Sequence, residues 1–304
     1  MIAGGICESD PENDECGEHA TSHRLPTFAA PSDVPSAHRE LQAHRPVVSD
    51  GRTGKARTPW YRHRKRRLRD NLRRMPDIAL TWLGHASFRF DTPGGKRVYV
   101  DPFLANPKCP DGEKEPERMD VIALTHGHSD HVGETVDLSK RFSPEIVAQI
   151  ELKDWLGNQG APVGDVPGPN KGGTVEAAGL EFTLVNAFHS SSSDDGDYLG
   201  EACGIVVEAE NGTKLYFAGD TCVFGDMQLI GRIYEPDVAI LPIGDHFTMG
   251  PREAAVALEL LGTRRCVPCH YGTFPLLHGT PDELRQLAPD VEVLAPEPGE
   301  TVTV

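Results

Sequence analysis

The chain has 304 residues, 46 Asp and Glu against 30 Lys and Arg, and a formal net charge of −16. Its length fits one large domain or two small ones, and a hydrophobic content of 38% excludes a wholly disordered polymer. No run of eighteen apolar residues offers a membrane span, the acid-rich N-terminus lacks the basic and apolar segments of a signal peptide, and seven scattered cysteines argue for a reducing cytoplasm rather than a disulfide framework.

The charge is unevenly spread. Residues 1–74 carry 14 basic and 10 acidic side chains, a net of +4, and residues 75–304 carry 16 and 36, a net of −20. The first segment has ten Ile, Leu, Val or Phe and six prolines, too little apolar material for a packed core, and reads as a disordered extension. Its last stretch, 60–74, holds eight Lys or Arg. That block reads first as a solvated basic tail; contact with nucleic acid or an anionic membrane surface is the sharper alternative. A third reading places the true start at Met75, where ordered patterning begins. The acidic domain has only seven lysines, a surface suited to a high-salt cytoplasm where ions screen self-repulsion.

From residue 76 onward, strands alternate with helices. Segments 78–83 and 86–91 read as strands around a bend at Gly84, followed by turn chemistry at Thr92-Pro93-Gly94-Gly95. Strands follow at 97–101, 120–125 and 145–149, then a helix at 150–156 stopped by Gly157. A hairpin over 174–186 breaks at Gly179. A second hairpin joins 203–210 to 213–218 through Asn211-Gly212, the pair that suits a type I′ turn. A strand at 237–241 precedes a helix that Pro251 opens and Gly262 ends. A strand at 265–268, a helix at 281–287 and a strand at 291–294 complete an α/β layered domain without internal repeats.

The chemistry concentrates in His126-Gly127-His128-Ser129-Asp130-His131, directly after a predicted buried strand. Three imidazoles and a carboxylate in six residues are costly to bury unpaired, and Gly and Ser mark an irregular loop. These donors suit zinc, iron or manganese. His189, Asp220 and His270 each follow another predicted strand, the edge where ligands gather in α/β sheets. Cys266-Val267-Pro268-Cys269-His270 matches a haem-attachment pattern but lacks the accompanying leader and overlaps a metal-type histidine.

Together with Leu80-Thr81-Trp82-Leu83-Gly84-His85-Ala86, Val100-Asp101-Pro102-Phe103, Ala218-Gly219-Asp220-Thr221, Pro242-Ile243-Gly244-Asp245 and Cys269-His270-Tyr271-Gly272-Thr273, this motif resembles the metallo-β-lactamase-fold hydrolases over 76–304. The nearest branch is that of uncharacterised metal-dependent hydrolases near the ascorbate-phosphate lactonases and N-acyl-phosphatidylethanolamine phospholipase D enzymes. The resemblance implies a four-layer αβ/βα sandwich of two mixed sheets with the site at one edge. It implies that His126, His128 and His189 hold a first divalent ion, zinc above manganese or iron. Asp130, His131 and His270 would hold a second, with Asp220 bridging both and Asp101 orienting ligands from behind. His85 matches no superfamily-wide ligand; it is expected either near the pocket as a substrate contact or proton donor, or as a half-buried histidine capped by backbone.

Such a pair of ions implies a bridging hydroxide that attacks a carbonyl carbon or phosphorus, with Asp130 orienting it. The expected substrate is a small ester, lactone or phosphodiester, walled by 105–118 and 190–201. Nucleic acid is disfavoured by the −20 charge except weakly through 60–74. A homo-oligomer is open, and a catalytically silent metal-binding regulator of the same fold is the alternative to a hydrolase.

Overall fold

The computed structural model describes residues 77–304. The N-terminal extension, its basic block and the alternative start at Met75 lie outside the described residues.

Thirteen strands form two mixed sheets among the described residues. The first sheet contains β1 (Ala79–Trp82), β2 (Phe88–Asp91), β3 (Arg97–Val100), β4 (Val121–Ala123), β5 (Glu145–Val147) and β13 (Thr301–Thr303), in the order β13-β1-β2-β3-β4-β5. The second contains β6 (Thr174–Ala177), β7 (Leu180–Asn186), β8 (Cys203–Glu208), β9 (Lys214–Phe217), β10 (Val238–Pro242), β11 (Arg265–Cys269) and β12 (Glu292–Val293), in the order β12-β11-β10-β9-β8-β7-β6. In each sheet one half is antiparallel and the other parallel: β3-β4-β5 in the first, β9-β10-β11-β12 in the second.

The helices are α1 (Ser129–Val132), α2 (Thr135–Phe142), α3 (Ile150–Asn158), α4 (Met227–Tyr234), α5 (Pro251–Leu261) and α6 (Pro281–Leu287). The parallel strands are buried on both faces, and their alternation assigns the layers. Val121 and Ala123 of β4 meet Val238 and Ile240 of β10 in the core between the sheets. Ile122 faces the other way, onto Leu138 of α2 and Leu152 and Leu156 of α3. Ala239 and Leu241 face Met227, Ala257, Leu258 and Leu284 of α4, α5 and α6. The result is the expected αβ/βα sandwich. In its centre, Phe217 of β9 meets Phe88 and Phe90 of β2 at ring separations of 5.8 and 6.0 Å.

Several local expectations change. Asn211-Gly212 does not form a type I′ turn, since only Gly212 has positive φ, +80°. The Gly212 amide donates to the Ala209 carbonyl and the Ala209 amide to the Thr213 carbonyl. This is a longer loop with glycine at its left-handed position. The type I′ combination occurs instead at Ala178-Gly179, with φ +51° and +82°. Gly157 lies inside α3 rather than ending it. Helices α1, α2 and α4 and strand β13 are not among the elements expected from the sequence, although α2 and α4 are amphipathic. They are short, and tertiary packing stabilises them. A Cβ at Gly231 of α4 would lie 2.1 Å from the Leu261 carbonyl oxygen, so this helix-weakening glycine is what lets α4 approach α5. β13 exists because the end of the chain pairs with the outer side of β1.

Candidate metal centre

The ends of β3, β4, β7, β9 and β11 converge on one edge of the sandwich. Two backbone hydrogen bonds tie the sheets there. The Cys203 amide donates to the Thr125 carbonyl at 3.0 Å, and the His270 amide donates to the His85 carbonyl at 2.9 Å. Three non-glycine residues at this edge hold left-handed φ: His85 at +52°, Asp101 at +47° and His270 at +53°. Such conformations cost energy and persist only where surrounding contacts over-determine them. For His85 these contacts are the His270 amide and the Trp82 indole N–H, both donating to its carbonyl.

β4 delivers the histidine motif. Gly127 lets the loop pass beneath Leu199, because a Cβ there would meet the Leu199 side chain at 2.5 Å. The His128 carbonyl accepts from the His131 and Val132 amides, starting α1, whose single turn carries Asp130 and His131 into the site. From the other sheet, Gly219 at φ +62° packs its backbone on Thr125 and presents Asp220. His189 follows β7, with the Phe188 amide donating to the Thr221 hydroxyl at 3.0 Å.

The side chains form three overlapping groups in which the candidate ligand atoms all lie within 4.8 Å of one another: His126, His128 and His189; His126, His131 and Asp220; and His85, Asp130, His131 and His270. Every residue that the sequence singled out as a ligand is therefore brought together. Asp220 reaches both sides. Its Oδ1 lies 3.3 Å from His131 Nε2, and its Oδ2 lies 3.1 Å from His270 Nε2 and 3.6 Å from His189 Nε2.

Hydrogen bonds set which nitrogen of each histidine faces the candidate site. Asp101 Oδ2 accepts from His131 Nδ1 at 2.8 Å and from the Thr125 hydroxyl at 2.7 Å. The Thr125 proton being spent on the carboxylate, its oxygen accepts from His126 Nδ1 at 3.0 Å. His126 and His131 thus turn Nε2 toward the site. His128 turns Nδ1, 3.0 Å from His126 Nε2, while its own Nε2 faces the Ser190 hydroxyl. Fixing a ligand's tautomer from behind in this way is the usual device of metal sites. Asp101 stands behind His131 in this arrangement. Thr125 was not singled out in the sequence; its only signal was its place immediately before the first histidine.

Three buried atoms make the case for a cation. His131 Nε2, His270 Nε2 and Asp220 Oδ1 are solvent-inaccessible and have no hydrogen-bond partner. Leaving such groups unpaired is costly, and a divalent ion between them would satisfy all three. The electrostatics agree. Burial opposes a charge on His131, but the Asp220 and Asp101 carboxylates outweigh it and hold its pKa well above the ordinary value. Burial would raise the Asp220 carboxyl, yet His270 and His131 hold it well below the carboxylate range. Burial lowers His126 and His189.

His85 is 0% exposed, more deeply placed than the half-buried expectation. Its Nε2 lies 3.0 Å from Asp130 Oδ2. Burial, only partly offset by that contact, lowers its pKa to about 4. The Cys266 and Cys269 thiols face opposite sides of β11, one toward the helices and one into the core between the sheets, which separates them as a redox or haem-attachment pair. Burial raises both thiols.

A β-lactamase superfamily domain matches residues 96–271. A UPF0173 metal-dependent hydrolase of Herpetosiphon aurantiacus is 48% identical over 238 residues, covering 75% of this chain and 99% of that one. The chain belongs to the β-lactamase superfamily, within the UPF0173 metal-dependent hydrolases. A second such relative, from Koribacter versatilis, is 46% identical over 228 residues, 74% of this chain and 97% of its own. Among solved structures, Igni18, a metallo hydrolase from the archaeon Ignicoccus hospitalis, is 34% identical with a TM-score of 0.67, covering 75% of this chain and 98% of that one. This UPF0173 member is thus a metal-dependent hydrolase with a His- and Asp-rich centre at the edge of its sandwich.

Proposed function

We propose that the UPF0173 chain binds two divalent ions and hydrolyses a small ester, lactone or phosphodiester. The observation that carries this is the set of orphaned buried atoms, His131 Nε2, His270 Nε2 and Asp220 Oδ1, facing one another. His126, His128 and His189 would hold one ion, Asp130, His131 and His270 the other, with Asp220 shared. Zinc suits the donor set, and manganese or iron remain open to the same ligands. When bound, the ions supply a water acidified to hydroxide near neutral pH and a Lewis acid for the substrate oxygen.

The chain's own groups set the geometry. Asp130 is the one carboxylate of the site that is partly open, with 36% of its side chain exposed. It can therefore contact the attacking water and receive its proton, while Asp220, with 4% of its side chain exposed, would serve as the shared ligand. Ser190 lies 3.3 Å from His128, and with the loop that follows it would form one wall. The other wall, 105–118, brings Lys108 to 5.7 Å from the Tyr271 ring, next to His270. Cys109, Cys203, Cys222, Cys266 and Cys269 are all free thiols, which supports the cytoplasmic reading.

The test is metal analysis of the full chain after reconstitution with Zn, Mn or Fe, combined with a panel of lactones, thioesters and phosphodiesters. Turnover that requires metal and is lost in His128→Ala and Asp130→Ala supports the assignment. Stoichiometric metal with no turnover on any substrate favours the silent binder, and full turnover by either variant with metal bound sinks the ligand roles.

A further inference from the structure

We infer that His85 is a protein ligand of the second metal position, through Nε2, and not a substrate contact or a remote hydrogen-bond partner. This rests on the two-ion reading above. Three ligands were expected at that position beside the shared Asp220; the structure places four.

The geometry is that of a coordination shell. In an octahedral shell with bonds of about 2.1 Å, adjacent donors are about 3.0 Å apart and opposite donors about 4.2 Å. His85 Nε2 lies 3.0 Å from Asp130 Oδ2. His270 Nε2, an expected ligand, lies 3.9 Å from the same oxygen and 3.1 Å from Asp220 Oδ2. His131 Nε2 lies 3.3 Å from Asp220 Oδ1. His85 is therefore closer to Asp130 Oδ2 than His270, an expected ligand, is.

The ring is held for this role. It packs 4.0 Å from the His270 ring, between centroids, with Phe103 and Phe274 against it edge-on. Its left-handed φ of +52° is shared in the site only with Asp101 and His270, one behind a ligand and the other itself a ligand. Gly84 is required just before it, since a Cβ there would lie 2.6 Å from Asn106 Oδ1. A side chain aimed by this much backbone strain, sealed from water and turned into a ring of metal donors, is placed to coordinate. The second position then has five protein donors, His85, Asp130, His131, His270 and Asp220, against four at the first. That set leaves one place for water in a six-coordinate shell.

The experiment compares the full chain with His85→Ala and His85→Gln after loading with Co(II). Chelator competition gives the affinity of each position. The hyperfine-shifted, exchangeable imidazole protons seen by NMR count the ligating histidines. Glutamine preserves a donor for Asp130 but is a poor metal ligand. The wild-type protein should take two ions. Both variants should keep the first ion, which also shows that they are folded. Both should bind the second more than about 100-fold more weakly, beyond the 10–100-fold loss typical of an outer hydrogen-bond partner, and both should show one shifted resonance fewer. An unchanged resonance count, or rescue by glutamine, overturns the proposal and makes His85 a positioning residue for Asp130. A wild-type protein that takes only one ion refutes the two-ion reading instead.

Discussion

Thr125→Val removes one hydroxyl and leaves the shape of the side chain nearly unchanged. That hydroxyl is buried and makes two contacts, donating to Asp101 Oδ2 at 2.7 Å and accepting from His126 Nδ1 at 3.0 Å. The first is a hydrogen bond to a carboxylate, a class that contributes about 1.5–3 kcal/mol; the second, once lost, leaves a buried imidazole N–H unpaired at a cost of about 1–3 kcal/mol. Asp101 keeps the Thr125 amide and His131 Nδ1, so the loss is partial and the expected destabilisation is about 3 kcal/mol. The same hydroxyl steadies ligands on both sides of the centre, His126 directly and His131 through Asp101. Metal affinity should therefore fall about 10- to 100-fold at both positions rather than at one. Urea denaturation of the metal-free protein measures the first effect, and chelator competition the second. A variant within about 0.5 kcal/mol of the wild-type protein, with unchanged affinity at both positions, would show that the tautomers are not set by this hydroxyl.

Three further outcomes follow from the same structure. In the metal-free protein the His131 pKa is raised by Asp220 and Asp101. Its contribution to stability is thus complete below the ordinary histidine value of about 6.5 and is lost as pH rises through the higher folded value. Metal must displace that proton, so calorimetry near pH 7 in buffers of different ionisation enthalpy should detect about one proton released; no release would remove His131 from the ligand set. Gly244→Ala places a Cβ 2.0 Å from the His270 carbonyl oxygen, which should displace His270 and weaken the second ion by at least tenfold while sparing the first; equal loading in the chelator assay would count against it. Finally, 36 acidic residues with only 16 basic ones after residue 74 should make thermal stability rise as salt shortens the Debye length from about 30 Å at 0.01 M to about 3 Å at 1 M, and a flat salt dependence would dismiss self-repulsion as significant.

The legible parts of this chain were those where local chemistry is unambiguous. His126, His128, Asp130 and His131 stand together after an apolar strand, and no packed core readily absorbs that many polar rings. His189, Asp220 and His270 were legible because each ends a strand, and the sheets bring strand ends to a common edge. Pro251 and Gly262 bracket α5, and the structure holds both at its ends. Gly231 misleads in the opposite direction. Alone it argues against a helix, yet α4 needs it to approach Leu261. The turn at Asn211-Gly212 failed because the register of β8 and β9 leaves a longer loop than the dipeptide suggests. His85 was legible only as a histidine near the pocket, with a substrate contact or proton donor and a backbone-capped, half-buried residue weighed equally.

The sequence by itself determined the inventory of candidate metal-type side chains, the layered class and the uneven spread of charge between residues 1–74 and 75–304, because these depend on residue type and short-range order. Tertiary structure alone decided which nitrogen of each histidine faces the site, that Thr125 serves both halves of the centre, and that His85 joins Asp130, His131 and His270. Those relations depend on side chains distant in sequence. His85 and His270 lie on different sheets, joined by one backbone hydrogen bond of 2.9 Å at the edge where the sheets meet.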